Sequence, residues 1–156
     1  MKNQLLRYRI LALCIALISG LYSLDASAQK KGQAPEIKFS PLSYKRVLTK
    51  AKANHKRIFV DAYATWCAPC KALRKTTFKD TKAAVYFNQH FINIGLDVEK
   101  GEGVELAKTW QVDGLPTLLI IDENGKVLAS HTGFVDGNGL IQFAQEATDS
   151  KAALNK

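Results

Sequence analysis

Histidine and cysteine are scarce in this chain of 156 residues, and the shortage closes off several classes of function. The three histidines, His55, His90 and His131, include no two at the spacing of paired zinc ligands, so no metal centre is expected. Three cysteines are too few for a disulfide framework, which uses more of them at wider spacings. Basic residues outnumber acidic ones, 22 to 14, for a net charge of +8, but the lysines are scattered among acids. With no arginine-rich or aromatic-interleaved run, the excess describes a solvated surface, and no nucleic-acid partner is expected. No internal repeat is visible either.

What is present begins with a leader. Lys2, Arg7 and Arg9 precede an apolar run over residues 10–18, and Ala26-Ser27-Ala28 supplies the small-x-small pattern of a cleavage site. The run is shorter than the ~20 residues that cross a bilayer. Residues 1–28 are therefore expected to be a secretory signal directing the protein to the periplasm. The alternatives are an uncleaved anchor, or a lipoprotein acylated on Cys14, although Leu13 stands where such a site carries a small residue. Cleavage after Ala28 leaves 128 residues with 19 basic and 13 acidic side chains, a size suited to one hydrophobic core. It also removes Cys14, so Cys67 and Cys70 become the only cysteines, in an oxidising compartment where such a pair can cycle. Residues 29–40, polar and containing Gly32 and Pro35, read as a linker, and 41–156 as one domain.

Within that domain Ser40-Pro41 reads as a helix start, with an amphipathic stripe (Leu42, Val47, Leu48, Ala51) running to about residue 54. Residues 57–63 form an apolar strand interrupted only by Asp61. Helices are expected over 68–77, 80–89 and 102–110, the last with Val104, Leu106 and Ala107 in the core, and Trp110 also packs there. A strand covers 91–97. Two more, 117–122 and 126–131, are joined through Glu123-Asn124-Gly125, since Asn-Gly between apolar runs is a strong hairpin signal. Gly133 opens a loop containing Gly137 and Gly139, and a helix from Leu140 to about 153 closes the chain. Helices alternating with strands, followed by a hairpin, imply an α/β fold with a central mixed sheet covered on both faces.

The chemistry centres on Trp66-Cys67-Ala68-Pro69-Cys70-Lys71, at a strand-to-helix junction. Cysteines two residues apart at a helix start can reach each other, and the orphan N–H groups there favour a thiolate at Cys67. Cys70, one turn further in and better shielded, suits the resolving role. Pro69 fits the first turn, where its missing N–H has no helical partner. Half a zinc site and a purely structural disulfide are the blander readings; the short loop gives a structural disulfide little to stabilise. Asp61, if buried, has a raised pKa and can take and return a proton near Cys70, whereas at the end of a strand it would simply face solvent.

The stretch Val60 to Lys71 resembles the active-site strand and loop of thioredoxins, in which an acid lies six residues before the first cysteine. Val112-Asp113-Gly114-Leu115-Pro116-Thr117 resembles that family's Gly-apolar-Pro-Thr loop. The resemblance covers residues 41–150 and implies a thioredoxin fold. It also implies a cis bond before Pro116, and a substrate strand held by Trp66, Leu115 and Pro116. It implies catalysis by Cys67, Cys70 and Asp61 with no cofactor beyond the Cys67–Cys70 redox-active disulfide. Three departures stand out: Tyr63 for a tryptophan, Ala68 for a glycine, and Asn93 at the position taken to match the lysine beside the buried acid. Thr76-Thr77-Phe78-Lys79-Asp80 is similar to the branch that includes the C-terminal domain of DsbD-type thiol:disulfide interchange proteins. The expected activity is reduction of protein disulfides, by a monomer passing electrons from a DsbD-type membrane donor to oxidised client proteins. An oxidase or isomerase, or a binding or chaperone module without turnover, are the rival readings.

Overall fold

The computed structural model describes residues 35–154. The expected leader, residues 1–28, and the linker up to residue 34 lie outside the described residues. The linker is shorter than expected, because residues 36–40 belong to the fold. Ile37 is buried in the core, and its N–H donates to Phe78 O at 2.8 Å. Phe39 forms a parallel bridge with Asn93, and Ser40 N–H donates to Asn93 O at 2.7 Å. Ile37 and Phe39 are the apolar alternates of a short extended segment, a pattern too brief to stand out in sequence.

Ser40 does not cap the first helix, because its N–H is tied to the sheet edge and residues 41–43 after it are not helical. Its hydroxyl instead accepts the Leu42 N–H at 3.3 Å, and α1 spans Tyr44–Asn54. Ser43 at its N-cap makes no side-chain cap bond; Glu102 Oε1 takes the Tyr44 N–H at 2.6 Å. β1 (Arg57–Tyr63) follows. α2 (Ala68–Lys75) is next, ending two residues before the expected boundary in a 3-10 turn over Thr77–Lys79. Asp80 caps α3 (Thr81–His90), its Oδ1 accepting Ala83 N–H at 2.9 Å. β2 (Phe91–Asp97), α4 (Glu102–Thr109), β3 (Thr117–Ile121) and β4 (Val127–Thr132) complete the middle of the domain. α5 (Gly137–Leu154) begins three residues before the expected start, where Asp136 Oδ1 accepts the Gly139 N–H at 2.8 Å.

The four strands run in the order β2-β1-β3-β4, with β1 parallel to β2 and antiparallel to β3, and β3 antiparallel to β4. Alternation along β1 sorts the core into two layers. Ile58 and Val60 join Val47, Ala51, Ile94, Leu119 and Ile121 on the side of α1. Phe59 faces the other way, into a cluster with Leu73, Phe78, Phe87, Leu118, Ile120 and Leu140 beneath α2, α3 and α5. Asp61, two residues after Phe59, shares that second face. The mixed α/β sheet with helices on both sides is thus the fold expected. The free edge of β2 is partly covered by the Phe39 bridge, which blunts it against pairing with other chains.

Candidate active site

β1 ends at Tyr63, and the chain turns through Thr65 and Trp66 into α2. Cys67 is the N-cap of that helix, and its Sγ accepts the Cys70 N–H at 3.2 Å, so the sulfur occupies the place where a serine oxygen would cap. Cys67 and Cys70 are disulfide-bonded, with Cα atoms 5.3 Å apart. Both are 2% exposed, so burial does not separate attacking from resolving sulfur as expected. Their surroundings do. Cys67 lines an open cleft of about 750 Å³, and Cys70 is not among its lining residues.

That cleft is walled by Trp66, Val98, Val104, Ala107, Val112 and Leu115, with Lys108 and Asp113 among its polar lining. Val104 and Ala107, expected in the core, are half-buried cleft residues; of the expected α4 trio only Leu106 packs against the inner layer. Periodicity marks an apolar stripe but does not say whether protein or a ligand groove covers it. Trp66 is 65% exposed, and its Nε1–H donates to Glu99 Oε1 at 2.9 Å. Trp110 packs against the α1 layer, edge-on to Tyr44.

Across from the cysteines, the Leu115–Pro116 peptide bond is cis, and Leu115 packs against the Cys67–Cys70 cluster. Among the described residues, neither the N–H nor the C=O of Leu115 makes a hydrogen bond. The loop is fixed on both sides of it. Thr117 Oγ1 donates to Gly114 O at 2.7 Å, and Gly133 N–H donates to Pro116 O at 2.8 Å. Gly133 has φ +105°, a conformation that favours glycine. One main-chain donor and one acceptor are therefore held open beside Cys67, the requirement for pairing with an extended peptide.

Asp61 is fully buried, which removes the solvent-facing alternative. Burial pushes its carboxyl up to about 6, against the opposing pull of Arg74. Arg74 Nη2 donates to Asp61 Oδ2 at 3.0 Å and Nε to the same oxygen at 3.3 Å, while Oδ1 has no hydrogen-bond partner. Arg74 lies four residues after Cys70, on the same face of α2, so Asp61 sits beneath the face carrying the resolving cysteine. The position expected to stand beside the acid is corrected by the strand register: Asn93 pairs with Phe59, and Gly95 pairs with Asp61. Asn93 instead donates to Lys38 O and Asn88 Oδ1 at the sheet edge. Arg74 escaped the sequence reading because a cation on a helix is by default a solvated one; its spacing from Cys70, one helical turn, was the available signal. Among the described residues no group of three or more histidine, cysteine or carboxylate side chains could hold a metal, and no helix is long and apolar enough to cross a membrane.

Similarity to known proteins agrees with this geometry. DsbD, the thiol:disulfide interchange protein of Yersinia pestis, is 35% identical over 98 residues, covering 61% of this chain but only 16% of that protein. The solution structure of a candidate disulphide-isomerase from Bacteroides thetaiotaomicron is 44% identical, with a TM-score of 0.68 over 76% of this chain and 98% of that one. The oxidised C-terminal domain of DsbD from Neisseria meningitidis shares the fold, at 21% identity and a TM-score of 0.59, covering 71% of this chain and 98% of that domain. The family described as the thioredoxin-like domain matches residues 44–148, about two thirds of the sequence, and the chain belongs to it.

Proposed function

We propose that this protein is an exported protein-disulfide reductase. The observation that carries the reading is the junction of the cleft with the Cys67–Cys70 pair: one sulfur beside a groove with a free main-chain edge at Leu115, the other on the helix whose Arg74 holds the buried Asp61 carboxylate. In the reduced protein the Cys67 thiolate, favoured by the Cys70 N–H and the α2 N-terminus, attacks one sulfur of a client disulfide. A mixed disulfide forms and the other client sulfur leaves as a thiolate. Asp61 accepts the Cys70 proton, and the Cys70 thiolate attacks Cys67 Sγ. The Cys67–Cys70 bond forms, the second client thiolate is released and takes up a proton, and two electrons have passed to the client.

Trp66, Leu115 and Pro116 hold the client strand. The cysteine pair carries the electrons, so no bound cofactor is required. Re-reduction needs a dithiol donor, for which a membrane carrier of the DsbD type fits, and the leader expected from the sequence supports a periplasmic site of exchange. Ala68-Pro69 supplies neither charge nor donor to the Cys67 sulfur, which supports reduction over oxidation. The similarity to a candidate disulphide-isomerase favours isomerisation as the second reading.

The test is Cys70→Ala in a periplasmic extract. It should accumulate mixed disulfides through Cys67, absent from Cys67→Ala, and identify client and donor together. The unmodified protein should accelerate insulin-disulfide reduction by dithiothreitol. No acceleration by folded protein, with no trapped species, would favour a binding module.

A further inference from the structure

Across both neighbouring strands Asp61 is faced by groups that cannot exchange a proton. Leu118 faces it in register from β3, and Gly95, with no side chain, from β2. Its one charged neighbour is Arg74, 43% exposed, with the guanidinium carbon over the Tyr63 ring at 3.7 Å from the ring centroid. The missing side chain at Gly95 leaves room for this, since a Cβ there would lie 3.3 Å from Arg74 Nη2 and push the guanidinium by a few tenths of an ångström. Arg74, Tyr63 and Gly95 line a second cleft of about 560 Å³, distinct from the one beside Cys67, with Glu36 and Lys38 also among its walls. The carboxylate is thus bound on Oδ2 from the solvent side and unpartnered on Oδ1.

We propose that Arg74 is a positioning residue for the resolving half of the exchange: it keeps the Asp61 carboxylate charged and anchored through Oδ2, which leaves Oδ1 to take the Cys70 proton. This rests on the reading of Cys67–Cys70 as an exchange centre. The cation works here in place of a lysine on β2, and from the helix that carries the thiol it serves. The charged and titratable groups on that side of the carboxylate are Arg74 from α2, the helix that also carries Cys70, Tyr63 from β1, and, beyond the guanidinium, Glu36 and Lys38 from the extended N-terminal segment. Proton transfer from Cys70 to Asp61 moves one negative charge from the carboxylate to the sulfur, and with the Arg74 cation the three groups stay neutral overall. A nearby cation resists protonation of the carboxylate, so it extends the range of pH over which Asp61 is an available base.

The experiment separates the two half-reactions with an aromatic disulfide that releases one coloured thiolate on attack by Cys67 and a second on resolution by Cys70. In the unmodified protein the second release should rise with a midpoint near pH 6, where the Asp61 carboxyl ionises. Arg74→Gln should move that midpoint up by at least about one pH unit, the usual effect of losing a close opposite charge, and slow resolution at pH 6 about fivefold. The first release should be unaffected. Arg74→Lys should restore most of the shift, and Arg74→Gln should change nothing further in an Asp61→Asn background. A folded Arg74→Gln protein with the unmodified midpoint, or an equal effect without Asp61, overturns the proposal and assigns Arg74 a packing role. If the unmodified protein releases neither thiolate, the exchange reading itself fails.

Discussion

Asp61→Asn exchanges a buried carboxyl for a neutral group of nearly the same shape, and its effect on stability follows from the direction of the pKa shift. The folded protein holds this carboxyl at about 6, against 3.8 ordinarily. Between those values the folded state keeps a proton that the unfolded chain has released. Stability from this group is therefore fully present below pH 3.8, falls as pH rises through 6, and is flat above. The difference corresponds to roughly 3 kcal/mol of destabilisation at pH 7 and above. Removing the charge should recover most of it, because Arg74, 43% exposed, can hydrate once its partner is neutral. Urea unfolding of the oxidised protein at intervals from pH 4 to 8 should show the variant more stable by up to that amount at neutral pH, the gap closing near pH 4. Parallel curves for the two proteins, or an Asn variant less stable at pH 7, would refute the account of Asp61 as a desolvated charge.

Gly95→Ala crowds Arg74 without straining the backbone, so in the coloured-thiolate assay it should raise the resolution midpoint in the same direction as Arg74→Gln, but by less. Trp66→Ala should leave the unfolding midpoint nearly unchanged, since surface substitutions are usually within about 0.5 kcal/mol, while raising KM for peptide disulfides. Asp80→Ala loses the cap on Ala83 N–H and should cost about 1 kcal/mol in urea unfolding, with the attack rate at Cys67 intact.

Short apolar runs made both β1 and β2 readable to the residue, and the helix start at Asp80 was visible before an apolar stripe, although Asp80 proves to be the cap and not the first helical residue. The errors lie where a long-range contact overrides a local signal. Ser40-Pro41 has the composition of a helix start, but the bond from Ser40 N–H to Asn93 O ties it to the sheet edge, and the helix begins only at Tyr44. Residues 36–40 have the polarity of a linker, but Ile37 and Phe39 reach the core. At the site, Cys67, Cys70, Asp61 and Leu115-Pro116 are marked by residue type and spacing. Arg74 is not, because its role depends on an empty position at Gly95 on a neighbouring strand, and register is a property of the sheet. Val104 and Ala107 were hidden for a related reason: an apolar stripe facing a groove is indistinguishable in sequence from one facing the core.

The direction of electron flow depends on how strongly the folded protein prefers the Cys67 thiolate to the disulfide. Here the sulfur has one fixed donor, the Cys70 N–H, and the N-terminus of an eight-residue helix. Ala68 and Pro69 are exposed and offer nothing further. On the proposed reading the reduced state is therefore only weakly favoured and gives up its electrons readily. Pro69→His places an ionisable donor in the first turn, one residue from Cys70 and two from Cys67. Each unit by which it lowers the Cys67 pKa below the working pH stabilises the dithiol form by up to about 1.4 kcal/mol, which raises the two-electron potential by about 30 mV. Equilibration against glutathione should place the unmodified protein among reducing dithiols and the variant measurably above it. A variant with an unchanged or lower potential would show that the Cys67 thiolate is governed by groups other than the two residues between the cysteines, and would remove the main support for reduction.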